Sequence, residues 1–247
     1  MTKRRNEKSQ ISVNTYVNQI PIKTNKCSDH IVIKHINAQS LIPKLDKIKL
    51  LIENEDLDIL CVSETWLQPN ILDALISIKN YNIFRNDNPL NSRGSEACIY
   101  VKNIFTRKKY ENIEITDGGP SKGFDDVWVS IQASKFKYII VGAVHKHPNT
   151  NADCIAYLER MLQTYSNCRK NMCMLGDLNG DLLKVNRLEK ILKRLNLNQL
   201  IKKPTRITPR SKTLIDVIIT NNRDTVIHAE TSLSIADHHA ISCTINL

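Results

Sequence analysis

Apolar residues in this chain gather mainly in short runs bounded by polar residues, not in long helical stripes. Such runs are IVIKHI (31–36), LDILCVSE (57–64), ACIYVK (97–102), VWVSIQA (127–133), KYIIVGAV (137–144), MCMLG (172–176), DVIIT (216–220) and ISCTINL (241–247). Their length and β-branched content predict strands, and the nearly continuous hydrophobicity of LDILCVSE predicts one covered on both faces. Helical spacing is confined to a few places. Leu45, Ile48, Leu51 and Ile52 recur at helical intervals behind Pro43, which suits a first turn. Two further helices are predicted at 151–169 and 182–196. In the second, Val185, Leu188, Ile191, Leu192 and Leu195 share one side, while Lys184, Arg187, Lys190 and Arg194 share another. GGPSKG (118–123) reads as a turn or loop. Many short strands with few helices favour a layered α/β sandwich over a Rossmann alternation.

Ahead of the first strand, residues 1–28 mix Lys, Asn, Ser, Thr and Gln without periodicity, so they read as a flexible basic leader. The remainder, 29–247, reads as one domain, a size that can bury one substantial core. No apolar run is long enough to span a bilayer, and the polar start is not a secretory signal. Seven cysteines are scattered without a CxxC pair, several inside apolar runs. They are expected to be reduced and structural, in an intracellular protein.

Charge changes the picture more than composition does. The formal net charge is +10, carried unevenly. Residues 1–26 hold six Lys/Arg against one Glu, and residues 184–212 hold ten against one, so the rest of the chain is net acidic. Two basic segments on an acidic body point to a polyanionic partner, although a solubilising tail and a solvated helix face would look the same.

The candidate chemistry lies where apolar strands end. Asn37 follows IVIKHI, Glu64 follows LDILCVS, Asp177 and Asn179 follow MCMLG, Asp216 opens DVIIT, and Asp237-His238 precede AISCTI. Each has an ordinary reading as a turn former, cap or surface charge. Gathered in one cleft, however, acidic groups repel one another, which a hard divalent cation relieves, and Mg²⁺ favours one or two carboxylates with water and phosphate oxygens. Cleaving a phosphodiester also needs a positioned water, a proton acceptor and donors for the charge growing on the phosphoryl oxygens. These residue types supply all three.

The order of these segments is specific. HINAQSLIPKLDKIKLLIENEDLDILCVSETWL resembles the opening of the endonuclease domain of LINE-type (non-LTR) retrotransposons, a branch of the endonuclease/exonuclease/phosphatase superfamily that includes apurinic/apyrimidinic endonucleases and DNase I. GDLNGD, PTRIT with SKTLIDVIITN, and ADHHAI follow in the family's order, from about His30 to Leu247. The resemblance implies a DNase I-like sandwich of two central mixed sheets flanked by helices, and a metal-dependent DNA endonuclease that nicks one strand by water attack on phosphorus. It places Asn37, Glu64 and Asp237 at the metal, Mg²⁺ or Mn²⁺. Asp177 and Asn179 match the water-activating and phosphate-facing pair, and Asp216 matches the Asp bonded to the catalytic His238. Whether Asp177 or His238 is the base stays open. DNA is the implied partner and the nucleus the implied location, with a monomer as the default state. Lys202, Lys203, Arg206 and Arg210, running into Asp216, are the expected phosphate contacts. With no polymerase following, the chain is expected to be an excised domain, a truncated copy or a host-adopted gene.

Departures from the family pattern keep alternatives in view. Where relatives commonly read Y-R-P-P-N, this chain has His145-Lys146-His147-Pro148-Asn149, so His145 stands in for a tyrosine hydroxyl near the phosphate. His145 and His147 also form an H-x-H pair of the kind that binds Zn²⁺, with nothing nearby in sequence to complete a site. Gly94-Ser95-Glu96-Ala97 replaces a glycine-rich stretch, and Ala236 replaces a serine. These changes favour, as the alternative, a DNA-binding remnant with little catalysis. A third reading keeps the fold and takes an inositol phosphate or sphingolipid head group.

Overall fold

All eight apolar runs are strands. The computed structural model describes residues 30–87, 97–109, 123–134, 137–148, 150, 152–168, 170–184, 186–232 and 237–246. The leader 1–28, Gly94, Ser95, Glu96, residues 118–122 of the GGPSKG turn and Ala236 lie outside them. In chain order the elements are β1 (His30–Asn37), α1 (Leu45–Glu55), β2 (Ile59–Ser63), β3 (Tyr81–Asn86), β4 (Ala97–Lys102), β5 (Thr106–Lys109), β6 (Phe124–Ser134), β7 (Lys137–Lys146), α2 (Ala152–Ser166) and β8 (Asn171–Asp177). They continue with α3 (Arg187–Arg194), β9 (Asn198–Gln199), β10 (Arg206–Thr208), β11 (Ser211–Thr213), β12 (Asp216–Thr220), β13 (Val226–Ser232) and β14 (Ala240–Asn246).

Two six-stranded sheets result, in the orders β13-β14-β1-β2-β4-β3 and β5-β6-β7-β8-β12-β9, with β10-β11 a separate hairpin. Both are mixed. Each contains one parallel pair, β1 with β2 and β7 with β8, and every other pairing is antiparallel. A helix joins each parallel pair, α1 in the first sheet and α2 in the second, because parallel neighbours need a crossover. The molecule is therefore a layered α/β sandwich of two mixed sheets with helices outside.

Side-chain alternation explains the layers. On β2, Ile59 and Cys61 join the core between the sheets, while Leu60 and Val62 join Leu45, Ile48 and Ile52 of α1 on the outer face. All five β2 residues are consequently buried. On the second sheet, Trp128 of β6 stacks on Tyr165 of α2 with ring centres 3.9 Å apart. That stacking requires Gly142, opposite Trp128 on β7, since a Cβ there would lie 2.5 Å from the indole. Among the described residues no helix is long and apolar enough to cross a membrane. None of the six described cysteines is in a disulfide.

Local chemistry corrects the sequence expectation at the basic helix. The spacing predicts 182–196, but α3 spans only Arg187–Arg194. Asn186 caps it, accepting from Glu189 N at 3.1 Å. Upstream, Asp181 Oδ1 accepts from Leu183 N and Leu214 N, and Leu182 N bonds Leu214 O, so these residues are tied to the connection between β11 and β12. Similarly, α2 ends at Ser166, short of 169. Strands β3, β5, β9, β10, β11 and β13 were not foreseen. They are short, or lie at sheet edges, and alternate too weakly to stand out; β3, YNIFRN, is nowhere fully buried.

Candidate active site

The two sheets that pack Ile33, Cys61, Leu175 and Ile218 against one another turn polar at one end. Both parallel pairs point their carboxyl ends there. Across the second sheet, Asp125, His145, Asp177 and Asp216 stand opposite one another on β6, β7, β8 and β12, so their side chains share one face. From the first sheet His35, Asn37 and Ser63 continue the inner faces of β1 and β2. Asp177 and Asp216 are fully buried, and His145 and Asn37 are each 1% exposed. Such groups are costly inside a core unless they meet partners or a ligand.

Glu64 enters through an irregular backbone. Alternation would send the residue after the inward Ser63 to the other face. Glu64 has φ 51°, a left-handed conformation, and its Oε1 accepts from Asn37 Nδ2 at 2.7 Å. Pairing of the two chains continues past the strands, with Ala38 N to Ser63 O, Ser40 N to Glu64 O and Leu41 N to Thr65 O, each 2.9 Å. Gln39, Ser40, Trp66 and Asn179 also have positive φ, so backbone strain concentrates at this end of the sandwich.

Asn37 is the junction between the sheets. Its Nδ2 also donates to Asp177 Oδ2 at 3.1 Å, and its Oδ1 accepts from Gln39 N. Asp177 is brought in by Gly176, where a Cβ would lie 1.9 Å from the Val144 carbonyl oxygen, so only glycine permits this approach of β8 to β7. Asp177 Oδ1 accepts from Asn179 N at 2.8 Å, and Asn179 Nδ2 donates to Lys146 O at 2.9 Å. Burial, with Asp216 adding to it, pushes the Asp177 carboxyl up to about 6.

His238 lies on the far side of Asp177. Its Nδ1 is 3.0 Å from Asp216 Oδ2 and 3.2 Å from Oδ1, with Asp177 Oδ2 at 3.5 Å. Burial pulls its pKa down, but the bond to Asp216 and the charges of Asp216, Asp177 and Asp237 outweigh it, so the net direction is up. Asp216 is itself fixed by its strand and by Thr205, whose Oγ1 accepts from Ile215 N and Asp216 N. Behind it His35 bonds Ser63 Oγ at 3.0 Å. Burial holds its pKa down to about 4, so this imidazole is neutral near pH 7.

The structure thus brings Asn37, Glu64, Asp177, Asn179, Asp216, His238 and His145 into one cleft. His145 Nε2 is 3.8 Å from Glu64 Oε1. Asp237 stands at the rim, 41% exposed, accepting from Gln39 Nε2 at 2.5 Å and paired with Arg206 at 3.2 Å. The hairpin β10-β11 borders the cleft, because Arg206 forms a backbone bridge with His238. Lys202, Lys203 and Arg210 are exposed on the same segment. Sequence reasoning missed Asp125, His35 and Thr205. Asp125 and His35 lie inside strand runs whose partners become visible only across a ladder; Thr205 acts through its position beside Asp216.

Oxygen donors suited to a hard divalent cation converge in Glu64, Asp177 and Asn37, and Glu64, His145 and Asp177 offer ligand atoms within 4.8 Å of one another.

This arrangement of sheets is the fold of the endonuclease/exonuclease/phosphatase proteins. The endonuclease domain of TRAS1, a telomere-specific non-LTR retrotransposon, matches with a TM-score of 0.67 at 15% identity, covering 88% of this chain and 99% of that one. AP endonuclease LMAP from Leishmania major matches at 0.68 and 14%, covering 88% of each chain. D. rerio TDP2, complexed with single strand DNA product, matches at 0.62 and 13%, covering 89% of this chain and all of that one. At these identities the likeness establishes the fold. No family model and no curated protein matches the sequence.

Proposed function

We propose that this chain is a metal-dependent phosphodiesterase that nicks one strand of DNA by water attack on phosphorus, of retrotransposon descent and acting in the nucleus. The observation that carries this reading is the continuous polar chain Glu64–Asn37–Asp177–His238–Asp216, which links the ends of both sheets through contacts of 2.7, 3.1, 3.5 and 3.0 Å. A fold shared with endonucleases and phosphatases supports it.

In this reading Glu64 and Asn37 hold Mg²⁺ or Mn²⁺, which when bound neutralises charge on the phosphate and lowers the pKa of its water. Asp237 is engaged by Gln39 and Arg206, so its part in holding the metal is indirect. Asp177, acceptor-rich and already raised toward neutrality, takes the proton from the attacking water. Asp216 occupies Nδ1 of His238, which leaves Nε2, 3.8 Å from Asp237 Oδ1 at the rim, to donate to a phosphoryl oxygen. Asn179 and His145 flank the same position and supply further polar contacts. Arg206, Lys202, Lys203 and Arg210 receive the DNA backbone.

Supercoiled plasmid incubated with Mg²⁺ or with EDTA tests the proposal. Conversion to open circles with Mg²⁺ and none with EDTA is expected. Undiminished nicking in EDTA would rule out the metal mechanism. DNA binding without nicking would leave only a binding domain, and release of phosphate from small phosphoesters in place of nicking would assign a different substrate.

A further inference from the structure

His145 is the least accommodated polar side chain of the cleft. It is 1% exposed, and neither ring nitrogen has a hydrogen-bond partner among the described residues. Its neighbours explain what it awaits. His147 follows the last residue of β7, where its N still bonds Gly123 O, and continued alternation sets its ring beside that of His145, with ring centres 5.0 Å apart. The β6–β7 ladder sets Asp125 directly opposite His145. Asp125 Oδ2 lies 3.0 Å from His147 Nε2 and 3.8 Å from His145 Nδ1, and the three residues offer ligand atoms within 4.8 Å of one another. The H-x-H pair is therefore completed by a carboxylate 20 residues upstream of His145, which no local motif reveals.

We propose that Asp125, His145 and His147 form a binding site for a borderline divalent cation, of which Zn²⁺ is the type, separate from the oxygen-rich centre at Glu64. Two imidazoles and one carboxylate match the ligands such ions prefer, whereas Mg²⁺ favours oxygen. Three protein ligands leave one tetrahedral position. The side chains of His147 and Asp125 are 27% and 19% exposed, so that position opens to water and gives the ion its entry. Lys146, between the two histidines, does not compete, because its ammonium bonds His147 O and Thr150 Oγ1.

The site does not rest on the nuclease reading, but it touches the same cleft. The two nitrogens of His145 face different groups, Nδ1 toward Asp125 and Nε2 toward Glu64, each 3.8 Å away. A cation on Nδ1 leaves the proton on Nε2, so the imidazole presents a fixed donor to the cleft.

The test uses full-length protein stripped of metal and titrated with Zn²⁺ against a chromophoric chelator, with Mg²⁺ in excess. One equivalent of Zn²⁺ is expected to bind, and to remain in Glu64→Gln. Asp125→Asn and His147→Gln, each confirmed as folded by circular dichroism, are expected to lose affinity by at least about 100-fold. Replacing Zn²⁺ by Co²⁺ is expected to give tetrahedral visible bands without the near-ultraviolet absorption of a cysteine thiolate. Absence of binding in the wild type, unchanged affinity in both rim variants, loss in Glu64→Gln, or a thiolate band would each overturn the assignment.

Discussion

On one side of Asp177, His238 is held through Nδ1 by both oxygens of Asp216 and is drawn toward its charged form. On the other side, His145 lies as deep, yet neither nitrogen has a hydrogen-bond partner among the described residues. The sequence offers similar residues on both sides, an imidazole near carboxylates, and the fold treats them differently. A buried donor or acceptor left unmade costs about 1–3 kcal/mol, so the protein has oriented one histidine itself and left the other to an external ligand. On the proposed function the first side is preorganised for chemistry, and on the proposed cation site the second is preorganised for capture.

Breaking the preorganised side should have the largest effect. Asp177→Asn removes the proposed proton acceptor and should lower plasmid nicking by about 10²-fold or more. The same change should help the metal-free fold. The folded-state pKa of Asp177 is raised from 3.8 to about 6, so the folded state holds its proton more tightly than the unfolded chain. Stability is therefore lost as pH rises through that window, by about 3 kcal/mol at most, and the loss is complete above it. In EDTA, thermal melts should show Asp177→Asn gaining on the wild type between pH 4 and pH 7. A constant difference across that range would show that the buried carboxylate is already compensated.

Asp216→Asn makes His238 resemble His145. Without its charged partner His238 loses the influence that raises its pKa, so the titration of its ring by NMR should move to lower pH. Nicking should fall by about 10–10²-fold. A group whose folded pKa is raised contributes stability that is full below its unfolded pKa and lost as pH rises through the folded one. The wild-type advantage over this variant should thus be greatest at acidic pH, below the ordinary histidine range.

The basic surface should respond more weakly and in two grades. Neutralising Lys202, Lys203, Arg206 and Arg210 should weaken DNA binding and flatten its salt dependence, by about 0.9 log units per lost phosphate contact per tenfold salt. The bridge between Arg206 and His238 places this segment at the cleft. Neutralising Lys184, Arg187, Lys190 and Arg194 should change little. Arg194 is paired with Glu159 of α2, on the helical side of the second sheet and away from the cleft. Filter binding at several salt concentrations separates the two grades, and equal slopes would erase the distinction.

Legibility in the sequence follows the same division. Apolar runs gave the central strands because burial on two faces imposes a strong pattern, as in β2. The polar residues at their ends, from Asn37 to His238, were readable because each interrupts such a run. Edge strands such as β3 carry half-buried polar residues and leave no pattern to read. The left-handed turn that brings Glu64 inward left no sequence signal, and neither did the cross-strand meeting of Asp125 with the H-x-H pair. Both are set by pairing register, which depends on the assembled sheet.

On the proposed function, the Glu64–Asn37–Asp177 end of the sandwich hydrolyses DNA with a bound metal. The most direct measurement compares nicking rates of wild type and Glu64→Gln, purified in parallel, in Mg²⁺. Glu64→Gln is expected to nick at least about 10²-fold more slowly, with similar melting temperatures of the two proteins in EDTA. Equal nicking by both proteins would contradict it.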